Sequence, residues 1–127
     1  MLRYLLYANA AIGLVLGVTF LFFPDVVATT YGGKMDATAV TLGRYLAAAL
    51  LPLAYVAWVA ARAKASALKL AFIRVFCVSE LIRIVIAGLA MAASVVGTAQ
   101  GIFNVVLSAI FVIGYGYYGF VKPEREE

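Results

Sequence analysis

Four long apolar stretches dominate this chain, at about 2–23, 37–61, 67–93 and 98–121. Each is close to the ~20 residues that a helix needs to cross the hydrocarbon core of a bilayer. None alternates apolar and polar residues, which is the pattern of a transmembrane barrel strand. A backbone in lipid must satisfy its own N–H and C=O groups, so uninterrupted runs of this kind form α-helices. Composition agrees. Hydrophobic residues make up 66% and charged residues 13% of the 127, about half the charged share of an ordinary soluble domain. Too few polar residues remain to clothe so small a core in water. The length allows one domain. The sequence therefore predicts a single all-α membrane domain over 1–127, an up-down-up-down bundle of four transmembrane helices with short links.

The links carry the orientation. Tyr31-Gly32-Gly33-Lys34-Met35-Asp36 reads as a turn and a helix start, Arg62 to Ser66 joins the middle helices, and Ser94 to Gln100 joins the last two. Arg3, Arg62, Lys64, Lys69, Lys122 and Arg125 lie at the N-terminus, the middle link and the C-terminus, while the first and third links together hold only Lys34. The positive-inside rule then expects both termini in the cytoplasm of a cell whose inner membrane holds the protein. Arg3 ahead of an apolar run also has the look of a signal peptide. The run exceeds the 7–15 residues of a signal core and has no clear small-x-small cleavage site, so an uncleaved first helix is expected. A net charge of +4 raises the question of nucleic acid. The basic residues cluster at membrane borders, where they serve lipid headgroups and topology, so no nucleic-acid partner is expected.

Missing residues narrow the chemistry. The chain has no histidine, which removes His-ligated haem, zinc and iron and the usual Ser-His and Cys-His hydrolases. The single cysteine, Cys77, leaves no intrachain disulfide to form. Glu124, Glu126 and Glu127 place half of the six acidic residues in the tail, which disfavours a carboxylate-bridged metal. No strand precedes a glycine-rich phosphate loop. Neither a catalytic residue nor a metal nor a cofactor is expected.

The third stretch holds the one unusual constellation. Glu80 sits near its middle and Arg83 three residues later, about 60° round a helix, so the two can pair along one face. Such a pair either fixes helix rotation and register or marks a carboxylate whose charge changes during transport. A lipid or ligand headgroup is a third occupant. Arg44, two turns into the second stretch, either snorkels to the outer headgroups or leans toward Glu80 and Arg83 to complete an intramembrane cluster. Arg74 is expected to reach the inner phosphates, and Arg62, Lys64 and Lys69 to contact headgroups beside it. Three intramembrane arginines against one glutamate leave positive charge to be offset by lipid phosphates, an anionic ligand, helix C-terminal carbonyls or a partner's carboxylate.

Small residues form a second pattern. Gly13 and Gly17 make a GxxxG, Gly43 and Ala47 repeat its spacing, and Gly114, Gly116 and Gly119 punctuate the last stretch. They permit close helix approach, within one bundle or between subunits. Pro52 removes a backbone hydrogen bond and is expected to bend its helix. Tyr4, Tyr7, Trp58, Tyr115, Tyr117 and Tyr118 read as an interfacial aromatic belt, with a quinone or sterol pocket between the rings as the alternative. Asn9, Asn104 and Ser108 read as interhelical hydrogen-bonding groups.

The Phe23-Pro24-Asp25 ending, the Gly43-Arg44 step and the alanine-rich second stretch resemble the small four-helix inner-membrane proteins of bacteria described as DoxX-like. The likeness covers the whole chain in length, helix count and texture. Arg44 and Ser79-Glu80 are also similar to the four-helix scaffold family of sterol biosynthesis, which has an arginine early in its second helix and a Ser-Glu step in its third. The histidine that precedes that step there is absent here. Either resemblance implies a non-catalytic helper or subunit of a membrane complex.

The leading expectation is thus a non-enzymatic integral membrane protein that works by association, in a homo-oligomer or as an accessory subunit or scaffold, with the lipid bilayer itself as a partner. The first alternative is a small oligomeric transporter or channel using Glu80, Arg83 and Arg44. The second is a lipid-modifying enzyme with Glu80 as acid or base, a task for which a carboxylate tied to arginine is poorly suited.

Overall fold

A computed structural model describes residues 1–30 and 36–123, with the side chains of Ala28 and Thr30 left aside. The turn read at 31–35, including Lys34, and the tail at 124–127, with Glu124, Arg125, Glu126 and Glu127, lie outside the described residues. The described chain is all-α: α1 (Leu2–Phe22), α2 (Pro24–Thr30), α3 (Ala37–Arg62), α4 (Ala67–Ala92) and α5 (Thr98–Gly116), the last running into a π-helical turn (Tyr117–Val121). Four of these elements, α1, α3, α4 and α5 with its π turn, are long and apolar enough to cross a membrane. At 1.5 Å per residue α1 is ~32 Å long and α3 and α4 ~39 Å, against a hydrocarbon core of ~30 Å.

The helix ends follow local chemistry. Asp36 caps α3 by accepting from the Ala39 N–H at 2.8 Å, and Ser66 caps α4 by accepting from the Lys69 N–H at 3.1 Å. α4 closes with Val95 N–H on Ala90 O at 2.9 Å and Ser94 N–H on Met91 O at 3.0 Å, a Schellman arrangement that holds Ser94 at φ 55°. Glycine is the usual residue there. Thr19 and Thr41 donate to the carbonyls of Val15 and Ala37 at 2.7 and 2.9 Å, so neither hydroxyl is left bare on its apolar helix. Pro24, read as a terminator of the first stretch, instead opens α2 at its first position, with Asp25 in the first turn. Proline lacks only an N–H that a first turn leaves unpaired, and an acidic group there meets the positive end of the helix dipole. α3 runs through Pro52 without a break.

The chain divides into two compact units. Leu6–Ala61 form one; Met1–Leu5 with the residues from Arg62 onward form the other.

In the first unit α1 and α3 run antiparallel on small residues. A Cβ built on Gly13 would come within 3.2 Å of the Ala54 methyl, and one on Gly17 within 2.7 Å of Leu51. The α3 positions that turn inward are Gly43, Ala47, Ala54, Ala57, Ala60 and Ala61. Their spacing of three, four and seven is one helix face with almost no side chain on it, which is how backbones approach when lipid supplies no hydrophobic drive.

In the second unit α4 and α5 are also antiparallel. Gly116 faces Cys77, Gly119 faces Ile73 and Arg74, and Gly101 meets Met91. Here large side chains interlock: Tyr115 is fully buried, 5.7 Å centroid to centroid from both Phe76 and Phe111. Offset aromatic contacts at this range contribute beyond their area. Tyr115 therefore belongs to the core and not to an interfacial belt, while Tyr4 is exposed.

Candidate functional site

The charged side chains of α4 are the natural place to look for chemistry. Glu80 lies thirteen residues into a helix of 26, ~20 Å from either end. Its side chain is 4% exposed and accepts an ion pair from Arg83, Nη1 to Oε1, at 3.2 Å. The sequence spacing had this pair along one face, and one face is where it lies. The other carboxylate oxygen, Oε2, is enclosed and has no hydrogen-bond partner among the described residues. A buried acceptor left bare costs about 1–3 kcal/mol, more when charged. Arg83 is 43% exposed, so its guanidinium ties down the buried acid while one edge faces outward.

Arg44 belongs to the other unit. It is exposed on α3 and makes no hydrogen bond or ion pair with the described residues of that unit. Seven residues from the helix start, it lies ~10 Å along the axis.

Arg74 and Lys69 have fates that sequence reasoning did not foresee. Arg74 was expected to reach lipid phosphate. The side chain is exposed; its Nε donates to the Gly119 carbonyl at 3.0 Å, and its guanidinium carbon stands 5.2 Å from the centre of the Phe120 ring. The π-helical turn explains this. Lys122 N–H returns five residues to Tyr117 O at 2.8 Å, and the last carbonyls of a helix need donors from outside it. Gly119 lets α4 come close enough to supply one. Lys69, also expected among the headgroup contacts, is 7% exposed and donates from Nζ to the Ala63 carbonyl at 3.1 Å. It closes the 62–66 link. Ser66 followed three residues later by Lys69 was the sequence sign, since the cap brings both into one turn. Arg62 and Lys64 are exposed as a headgroup role requires.

The expected packing residues also find places. Gly13 and Gly17 pack within the α1/α3 pair, and Gly114 receives Leu5 within the second unit. Gly43 and Ala47 are buried on α3. Gly88 on α4 has nothing near the position of a Cβ. Ser108 is buried on α5.

The aromatic residues separate into different settings. Tyr115 is core, and Tyr117 and Tyr118 meet edge to face at 5.2 Å. Tyr7 and Trp58 line, with Tyr55, a cavity of about 400 Å³ in the first unit. Tyr55 was not singled out by sequence. Its spacing of three from Trp58, with the rings 6.0 Å apart, was the available sign. No group of three or more metal-ligating side chains exists among the described residues. Comparison with family models, curated proteins and solved structures finds no match to this chain. The DoxX-like and sterol-scaffold resemblances therefore rest on the residues quoted for them.

Proposed function

We propose that this chain is a non-enzymatic integral membrane protein that acts by association, as a homo-oligomer or as an accessory subunit or scaffold of a larger complex. In this reading it sits in a cell's inner membrane with both termini in the cytoplasm. The observation that supports it is positive charge facing outward at membrane depth. Arg44 is exposed on α3, and Arg83 keeps 43% of its side chain exposed after pairing with Glu80. A lone arginine costs up to ~2.5–3.5 kcal/mol at the centre of a membrane helix on the lenient insertion scale, and less toward the end, where Arg44 lies. An anion from outside the chain removes that cost, and a carboxylate on a neighbouring subunit does so within the bilayer. A helper role of this kind is also what the DoxX-like resemblance implies.

Mass photometry of the protein in mild detergent is the test. The expected particle contains two or more copies, or a co-purifying protein, and Arg44→Leu lowers its mass. A particle of one copy, with no companion and no response to Arg44→Leu, removes the reading.

A second reading, transport through an interface between subunits, draws on a different observation: Glu80 Oε2, enclosed at mid-span without a donor. An acid in that position exchanges a proton or cation if water reaches it from either side. Flux into proteoliposomes that is lost in Glu80→Gln supports transport; equal flux in the variant removes Glu80 from it.

A further inference from the structure

The π-helical turn at the end of the last span is the least ordinary element of the second unit. Such turns are rare and recur at functional sites. Here Lys122 N–H reaches back to Tyr117 O at 2.8 Å, and the Gly119 carbonyl takes its donor from α4, the Arg74 Nε at 3.0 Å. The same guanidinium stands over the Phe120 ring, 5.2 Å from its centre. One edge and one face of the group are thus fixed by the turn. The remaining edge, with both Nη atoms, makes no hydrogen bond or ion pair with the described residues, and the side chain is exposed.

The contact also sets the depth of Arg74. Gly119 lies two residues before Val121, where the last span ends. Arg74, seven residues into α4, is therefore level with a helix end. At ~39 Å, α4 exceeds a ~30 Å hydrocarbon core by about the ~10 Å that precede Arg74. Ala71 and Ala67 occupy the stripe of α4 that runs from Arg74 back to the helix start. Both are exposed, and neither is long enough to screen the guanidinium. Lys122 follows one residue past the span and is exposed as well. Two cations thus share one helix end. Glu80 is the only acid among the described residues of this unit. It already holds Arg83 and lies six residues, ~9 Å, further along α4 than Arg74.

We infer that Arg74 and Lys122 hold the phosphate of an anionic phospholipid at the end of the last span. The two Nη atoms of Arg74 offer a planar fork to two phosphate oxygens, already oriented by the Gly119 carbonyl and the Phe120 ring. Lys122 adds a point charge that favours a headgroup of net negative charge. Exposed Phe120 and Val121 adjoin the acyl chains, which favours a lipid over a free anion. Arg74 holds the phosphate, and Lys122 selects the headgroup.

The full chain in mild non-ionic detergent is titrated with phosphatidylglycerol or phosphatidylcholine of the same acyl chains, and bound lipid is counted by native mass spectrometry. Phosphatidylglycerol is expected to bind roughly fivefold more tightly, the preference that one basic side chain supplies near a surface. Lys122→Gln keeps the backbone bond to Tyr117 and is expected to abolish that preference. Arg74→Ala is expected to weaken both lipids roughly tenfold, the loss of one hydrogen bond to a charged group. Arg74→Lys, which keeps the charge without the fork, is expected to recover little of this. Equal binding of the two lipids by the wild type overturns the site, as does a preference that survives Lys122→Gln. Full recovery in Arg74→Lys does so too, because charge alone then gathers the lipid. Inorganic phosphate at the concentration of the lipid is expected to displace none of it; displacement makes the occupant a soluble anion and overturns the lipid. Replacing Glu124, Glu126 and Glu127 together by Gln is expected to change nothing. Lipid binding that appears only in that variant gives the two cations to the tail and overturns the inference.

Discussion

The two units solve the same packing problem with different side chains. α1 and α3 approach on glycine and alanine, and the contact between Gly13 and Ala54 is nearly backbone to backbone. α4 and α5 approach on rings and a cation: Tyr115 stacks with Phe111 and packs against Phe76 and Arg74 reaches the Gly119 carbonyl, while Glu80 holds Arg83 along α4 itself. The difference teaches where each unit keeps its freedom. A smooth small-residue contact resists any added volume yet leaves a cavity where its alanines run on past the crossing point. An interlocked contact has as its weak point a polar group that needs its partner.

If that contrast is right, the largest loss comes from breaking the ion pair. Arg83→Ala leaves Glu80 buried and uncompensated and is expected to cost about 3 kcal/mol. Thermal unfolding in detergent reads this as a lowered midpoint, with Glu80→Gln on top of Arg83→Ala restoring part of it. No recovery in the double variant means that Arg83 acts by packing alone.

The small-residue unit is expected to yield next. Gly13→Leu drives a side chain against the Ala54 methyl, which cannot rotate aside, and is expected to cost about 2 kcal/mol. Gly88→Leu is the control, because its Cβ meets open space, and a shift within about 0.5 kcal/mol is expected. Equal effects at the two glycines would erase the distinction between a packed and an open face.

The smallest effect tests the π-helical turn. Arg74→Ala gives up one hydrogen bond to Gly119 O and the contact with Phe120, together worth about 1 kcal/mol. Hydrogen exchange reads it as faster exchange confined to residues 117–122. Unchanged exchange there would mean that the Arg74 bond does not hold the turn.

Much of the fold was legible because it is local. The four apolar runs lie within two residues of the helices that form, counting α5 with its π turn as the last span. Glu80 and Arg83 were legible for the same reason, being three residues apart on one helix. What was missed concerns partners. Tyr115 shares composition and neighbourhood with Tyr117, and packing against a second helix, with Phe76 among its contacts, makes it core. Lys69 looked like a headgroup contact because a cation near a membrane border usually is one, but it is buried and donates to the Ala63 carbonyl. Arg74 stays exposed and adds a bond to the Gly119 carbonyl that its position in the sequence did not announce. α2 was misread at a signal that points both ways, since proline ends one helix and begins another equally well.

Sequence by itself therefore determined that this chain is helical and where its four long apolar helices begin and end, because in hydrocarbon a backbone has to pair with residues three to five places away. Tertiary structure alone decided which tyrosine is core, which arginine is tied to a carbonyl and where a cavity opens. Those outcomes depend on what a second helix presents across the gap, and no periodicity within a single helix encodes that.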